Sequence, residues 1–188
     1  MTRRTSEELL SLFKENWPEG YSASEEVMLR LYHSALRHTE SMQTFLAQFG
    51  VTSAEFVVLR VIRREPEAQA ITPTMICEAL VLSPGGVTKI LKQLEGKGLV
   101  TRSVDHGDKR RSLVRLTEEG EDKINSVQRA VREFDTVMLG RTLTEREQTR
   151  LAELLRKLLM SLEPSRSASA LVAAARLSAE EVRTTPEA

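Results

Sequence analysis

The chain has 188 residues, with 27 Lys and Arg against 27 Asp and Glu, so its formal net charge is zero. The length suits one domain with extensions, and 40% hydrophobic residues suffice for a buried core, while the neutral total excludes a histone-like or a highly charged, disordered chain. Aromatic residues at 4% leave little for a base-stacking platform, and a single cysteine, Cys77, excludes an internal disulfide and a Cys-rich zinc site.

The start of the chain lacks an apolar stretch of signal-peptide length, and no run reaches the ~20 apolar residues of a membrane span. A soluble cytoplasmic protein with no membrane partner is expected. Thr5-x-x-Glu8 is a capping box, in which a hydroxyl and a carboxylate satisfy the free N–H groups of a helix start. It predicts a short helix over about 6–16, ended by Trp17-Pro18-Glu19-Gly20. Ser22-x-x-Glu25 opens a longer helix over about 23–48, with Val27, Leu31, Ala35, Met42, Phe45, Leu46 and Phe49 as its apolar positions and Gly50 just past its end. Thr52-x-x-Glu55 is another capping box, and the helix it starts stops before Pro66. Thr72-Pro73 opens a helix over about 73–81, and Ser83-Pro84-Gly85-Gly86 opens one that runs to about Glu95. Residues 99–104 and 112–117 carry the one β signal and flank a polar tip, which predicts a two-stranded hairpin. Helices return over about 118–139 and 144–162, the second with the capping box Thr144-x-x-Glu147 and the leucines 151, 154, 155, 158 and 159. After Glu163-Pro164 the composition turns to Ser and Ala, with room for a helix around 169–182.

Two short helices joined by a tight link, followed by a hairpin, give the winged helix-turn-helix order. The expected fold is mainly α with a small β-hairpin wing and long N- and C-terminal dimerisation helices. The divisions are an extension helix (1–21), a helical dimerisation region (22–50 and 118–163), a DNA-binding lobe (51–117) and a Ser/Ala-rich tail (164–188). In the second short helix Val87, Ile90, Leu91 and Leu94 share one face. The other face carries Gly85, Gly86, Thr88, Lys89, Lys92 and Gln93, small at the N-terminus and then polar or cationic, as entry into a major groove requires. Ser83 as N-cap with Pro84 behind it leaves the positive helix end facing phosphate, and Thr74 on the preceding helix joins the set. At the hairpin tip Lys109, Arg110 and Arg111 are candidates for a narrow minor groove, with Asp108 orienting the Arg110 guanidinium. Residues 83–115 hold eight cations and three anions, a local charge of +5 against −5 elsewhere.

Residues 50–59, 71–80, 82–91 and 107–117 resemble the MarR family of transcriptional regulators, most specifically in Asp108-x-Arg110 followed by Leu-x-Arg-Leu-Thr117. The resemblance covers about residues 23–162. It implies a homodimer on a pseudo-palindromic duplex, a repressor role and a small-molecule pocket between the dimer region and the DNA-binding lobe. The N-terminal helix ending in Trp17 is similar to the urate-responsive PecS branch, as are Ala70-Ile-Thr-Pro-Thr-Met-Ile and Gly107-Asp-Lys-Arg-Arg-Ser. That branch places an acid straight after the aromatic of the second core helix, whereas here Val57 follows Phe56. The implied effector is therefore another aromatic or phenolic acid, with Trp17, His33, Arg37 and Phe56 as ligand candidates.

Several of these residues admit a second reading. Trp17 is either a core plug or a pocket wall. His33, Arg37 and His38 are either ligand contacts or a solvated polar stripe. Cys77 suits a small apolar packing position better than a redox switch. No metal ligand cluster, cofactor loop or catalytic constellation is legible, so no cofactor and no enzymatic activity are expected. The alternative is a winged-helix module whose basic face meets an acidic protein.

Overall fold

A computed structural model describes residues 4–66, 70–80, 82–104 and 112–162. In order these are α1 (Ser6–Asn16), a 3-10 turn at Pro18–Gly20, α2 (Ala23–Ala47), α3 (Ser53–Arg64), α4 (Pro73–Leu80), α5 (Pro84–Gly96), β1 (Val100–Val104), β2 (Ser112–Leu116), α6 (Glu118–Gly140) and α7 (Glu145–Leu162). The expected helix around 169–182 and the hairpin tip lie outside the described residues. The chain divides into two compact units, residues 1–129 and 130–188.

The caps set the boundaries. In both Thr5 and Thr52 boxes the threonine hydroxyl accepts from the backbone N–H three residues on at 3.2 Å, and the glutamate there accepts from the threonine N–H at 2.7 and 2.8 Å. Such a cap is worth ~1 kcal/mol. Past the end of α2, Gly50 takes φ +68°, a left-handed conformation that costs glycine nothing.

The core of the first unit is built by α3, α4, α5 and the hairpin. Val58, Leu59, Ile76, Val87, Leu91, Leu94, Val100 and Val114 are fully buried. Each such aliphatic side chain contributes roughly 1.5–3 kcal/mol of burial. α4 and α5 turn through 115°, within the usual helix-turn-helix range. The Leu82 N–H donates to the Cys77 carbonyl at 3.1 Å and closes α4. Cys77 itself is half-buried and makes no more of a core position than that.

β1 and β2 are antiparallel, with Val100 opposite Leu116 and Val104 opposite Ser112. Ile71 adds a single bridge to β2, accepting from the Val114 N–H at 2.8 Å. At the hairpin base the Thr117 hydroxyl donates to the Gly98 carbonyl at 2.6 Å and accepts from the Gly120 N–H at 2.9 Å. Here α6 begins so close to the chain before β1 that a Cβ on Gly120 would lie 1.9 Å from the Leu99 carbonyl oxygen.

α1 lies on α2 through one buried side chain, Leu10, and a surface network. Arg30 pairs with both Glu7 and Glu26, Lys14 lies 3.6 Å from Glu26 and over the Tyr21 ring, and the Tyr21 hydroxyl donates to Glu26. The core reading of Trp17 is not met. It packs on Phe13 and over Gly20 yet stays 54% exposed, because the 3-10 turn carries it to the surface. The apolar positions of α2 are covered unevenly. Met42 and Leu46 are buried, whereas Val27, Met28 and Tyr32 are at least half exposed.

In the second unit, the Thr144 box starts α7, with Glu147 accepting from the Thr144 N–H at 2.8 Å. No residue of α7 is buried, and Leu151, Leu154, Leu155 and Leu159 are exposed. Among the described residues no single helix is long and apolar enough to cross a membrane.

Gly120→Ala should cost roughly 3 kcal/mol or more, because the Leu99 backbone cannot yield without disrupting the hairpin base. Thermal unfolding of the variant checks this; an unchanged melting temperature would disprove the close approach.

Candidate nucleic-acid interface

α5 is divided cleanly by burial. Val87, Ile90, Leu91 and Leu94 are buried, while Gly85, Thr88, Lys89, Lys92 and Gln93 are exposed. Ser83 is the N-cap, accepting from the Gly86 N–H at 3.2 Å, and Pro84 occupies the first helical position. The Thr88 hydroxyl donates to the Pro84 carbonyl at 2.8 Å. Gly86 is half-buried, and a Cβ there would meet the Ser83 hydroxyl at 3.2 Å. A Cβ on Gly85 would meet nothing within 4 Å. The fold itself therefore has no use for glycine at 85. Thr74 is exposed on the second residue of α4. Asp108, Lys109, Arg110 and Arg111 lie outside the described residues.

The C-terminal end of α5 is fixed by an ion pair with one buried partner. Lys97, the C-cap, places its Nζ 2.8 Å from the Glu55 carboxylate and 3.0 Å from the Gly50 carbonyl. Glu55 is fully buried at the start of α3, while the Lys97 side chain is 41% exposed. Burial pushes the Glu55 carboxyl up, but the Lys97 ammonium and the Thr52 N–H outweigh it and hold the group below its ordinary value of 4.5. A second pair joins the hairpin to α5: Arg102 of β1 places Nε 3.7 Å from Glu95. Lys97 and Arg102 were both counted in the +5 patch, and both are engaged internally. Sequence reading missed these roles, since nothing local says that Lys97 reaches back 42 positions. The one available signal was Glu55, a carboxylate followed at once by the apolar run of α3.

The four ligand candidates are not brought together. His33 and Arg37 line a cleft of about 470 Å³ between α1 and α2, shared with Arg4, Ser6, Leu9, Tyr32 and Leu36. His33 Nδ1 is 2.7 Å from the Ser6 hydroxyl, and Arg37 pairs with Glu40 at 3.1 Å. Neither Trp17 nor Phe56 lines that cleft. Phe56 is buried in α3 beneath the Arg60 guanidinium, whose carbon is 5.4 Å from the ring centre. Among the described residues no group of three His, Cys, Asp or Glu could hold a metal ion.

Known proteins share this fold. Residues 49–111 match the MarR family. The regulator PecS of Dickeya dadantii is 30% identical over 115 residues, covering 61% of this chain and 69% of that protein. The chain belongs to the MarR family. A crystal structure of a mutant MarR from E. coli complexed with operator DNA is 32% identical, with a TM-score of 0.62 over 79% of this chain and 98% of the other. The structure of Bordetella bronchiseptica BpsR, whose DNA binding is regulated by 6-hydroxynicotinic acid, is 26% identical, with a TM-score of 0.62 over 73% and 96% of the two chains. This membership makes the chain a winged-helix transcriptional regulator rather than an enzyme.

The depressed native value of Glu55 fixes a sign. The unfolded chain takes up the proton first, so the contribution of the pair is complete above pH 4.5 and is lost as pH falls through the lower native value. Glu55→Gln should cost roughly 2 kcal/mol at neutral pH, less than a fully buried pair because Lys97 is partly solvated. Its melting temperature should also fall less steeply than the wild type's below pH 4.5. Parallel acid profiles in thermal unfolding would contradict the pairing.

Proposed function

We propose that the protein is a repressor that binds a pseudo-palindromic duplex as a homodimer and is released by a small aromatic or phenolic acid. The observation that carries the reading is the idle N-terminal face of α5. Its apolar face is spent on the core, and Gly85 stands in open space beside a capped, positive helix end. A glycine with no internal purpose at that end suits close approach by a duplex. Ser83, Pro84, Gly85, Gly86, Thr88 and Lys89 would meet the major groove, with Thr74, Lys92 and Gln93 on flanking phosphates. Lys109, Arg110 and Arg111, with Asp108, would serve the minor groove.

Homodimer formation is supported by unpartnered apolar side chains. Val27, Met28, Tyr32 and Leu36 are exposed on α2, and Leu151, Leu154, Leu155 and Leu159 on α7. Exposed apolar surface on this scale marks an interface. Two recognition helices then read successive major grooves ~34 Å apart. The effector site is the cleft carrying His33 and Arg37, where a guanidinium and an imidazole stand over the apolar Leu9 and Leu36. That chemistry suits an aromatic carboxylate, and BpsR's regulation by 6-hydroxynicotinic acid is in keeping with it. An effector that binds the DNA-incompetent state better shifts the population away from DNA.

Titration with duplexes selected by the protein from a random-sequence pool, against scrambled controls, tests the reading. Affinity should fall steeply with salt through counterion release. Equal affinity for both duplexes, or a flat salt dependence, would favour an acidic protein as the partner of this face. Gly85→Ala should leave the melting temperature unchanged or slightly raised, since alanine is the better helix former, yet weaken duplex binding about tenfold by holding the backbone off. Undiminished affinity in that variant would remove the argument from Gly85.

A further inference from the structure

An isolated two-stranded hairpin is marginal in water, so the wing keeps its direction only through what it touches. Alternate residues of β1 share one face. Along that face Val100 is buried, Arg102 is partly exposed and Val104 is 57% exposed. Arg102 is therefore the outermost side chain on this face of β1 that is anchored to the body, one step before the hairpin leaves it.

Its guanidinium reaches α5 at two levels. Nη2 donates a long hydrogen bond to the Thr88 carbonyl at 3.5 Å, and Nε lies 3.7 Å from a Glu95 carboxylate oxygen. Thr88 and Glu95 are seven residues apart, two turns along one face of the helix. One guanidinium thus contacts groups from two successive stretches of α5. Nε is buried and has no hydrogen-bond partner, and 3.7 Å is too long for one. A desolvated cationic donor is costly unless an anion stands beside it, and Glu95 is that anion.

We infer that Arg102 is a positioning residue: by gripping the Thr88 carbonyl and the Glu95 carboxylate it fixes the angle between the wing and the recognition helix, and with it the spacing of their two contacts on a duplex. The inference rests on the DNA-binding reading for its purpose, but the latch itself is a property of the free protein. A plain electrostatic role for Arg102, as one more cation facing phosphate, makes the opposite prediction at Glu95. Removing an anion from a basic face tightens binding, whereas releasing a latch weakens it.

The test uses the full chain as wild type, Arg102→Met, Arg102→Lys and Glu95→Gln. Duplex affinity is measured by fluorescence anisotropy on a duplex the wild type has selected, and amide hydrogen exchange is followed in the free protein. Arg102→Met and Glu95→Gln should each raise Kd about tenfold, with the double variant no worse than the weaker single one. Both should speed exchange in β1 and β2 while exchange in α3 and the melting temperature stay near wild type. Arg102→Lys keeps the charge but lacks the planar fork, so it should not restore affinity. Tighter or unchanged binding by Glu95→Gln, or wing exchange unchanged in both variants, would overturn the inference. If the wild type selects no duplex, the DNA-binding reading fails by itself. Wing exchange then decides the latch: faster in both variants supports it, unchanged in both disproves it.

Discussion

The arrangement of α3, α5 and the turn before them depends on one buried carboxylate. Glu55 has no access to water, so its charge must be met within the protein. Thr52 meets part of it through the backbone N–H of the cap, and Lys97 meets the rest from the far end of α5. Because Lys97 also bonds the Gly50 carbonyl, three segments converge on one ammonium: the turn after α2, the start of α3 and the end of α5. Apolar packing alone is non-directional and tolerates sliding. A charge pair with two short contacts does not, and it fixes where α5 ends relative to α3.

Two glycines show how the same residue serves opposite ends. Gly120 is demanded from inside, since the Leu99 carbonyl occupies the place of its Cβ. Gly85 is demanded by nothing inside. The contrast separates a glycine that the fold requires from one that it does not. One short helix thus has two faces under different constraints, one packed in the core and one open to solvent.

Local chemistry made the fold legible. Hydroxyl and carboxylate pairs three residues apart marked the helix starts at Thr5, Thr52 and Thr144, and proline after a cap marked α4 and α5. The buried face of α5 followed from spacing alone. Long-range electrostatics was not legible. Counting Lys97 and Arg102 toward a phosphate-facing patch ignored that Glu55 and Glu95 already engage them. Of the two readings of Trp17 the core plug is not met, since the residue beside Pro18 stays 54% exposed. The apolar stripes of α2 and α7 were read correctly as stripes, but spacing cannot say whether a stripe is covered by its own chain. The ligand candidates suffered similarly, since composition could not show that Phe56 is sealed beneath Arg60 while His33 opens onto a cleft.

The seat of α1 carries a further consequence. One wall of the His33 cleft is α1 itself, through Arg4, Ser6 and Leu9. That helix is held by a single buried leucine, by the Ser6–His33 hydrogen bond and by partly or fully exposed charges among Glu7, Lys14, Glu26 and Arg30. Exposed pairs are screened by dissolved ions, whose Debye length is ~8 Å at physiological strength. Higher ionic strength therefore weakens part of what holds this wall of the cleft. The cleft is a compartment whose integrity tracks the electrolyte around it, so the medium itself can act as a second input to whatever the cleft holds.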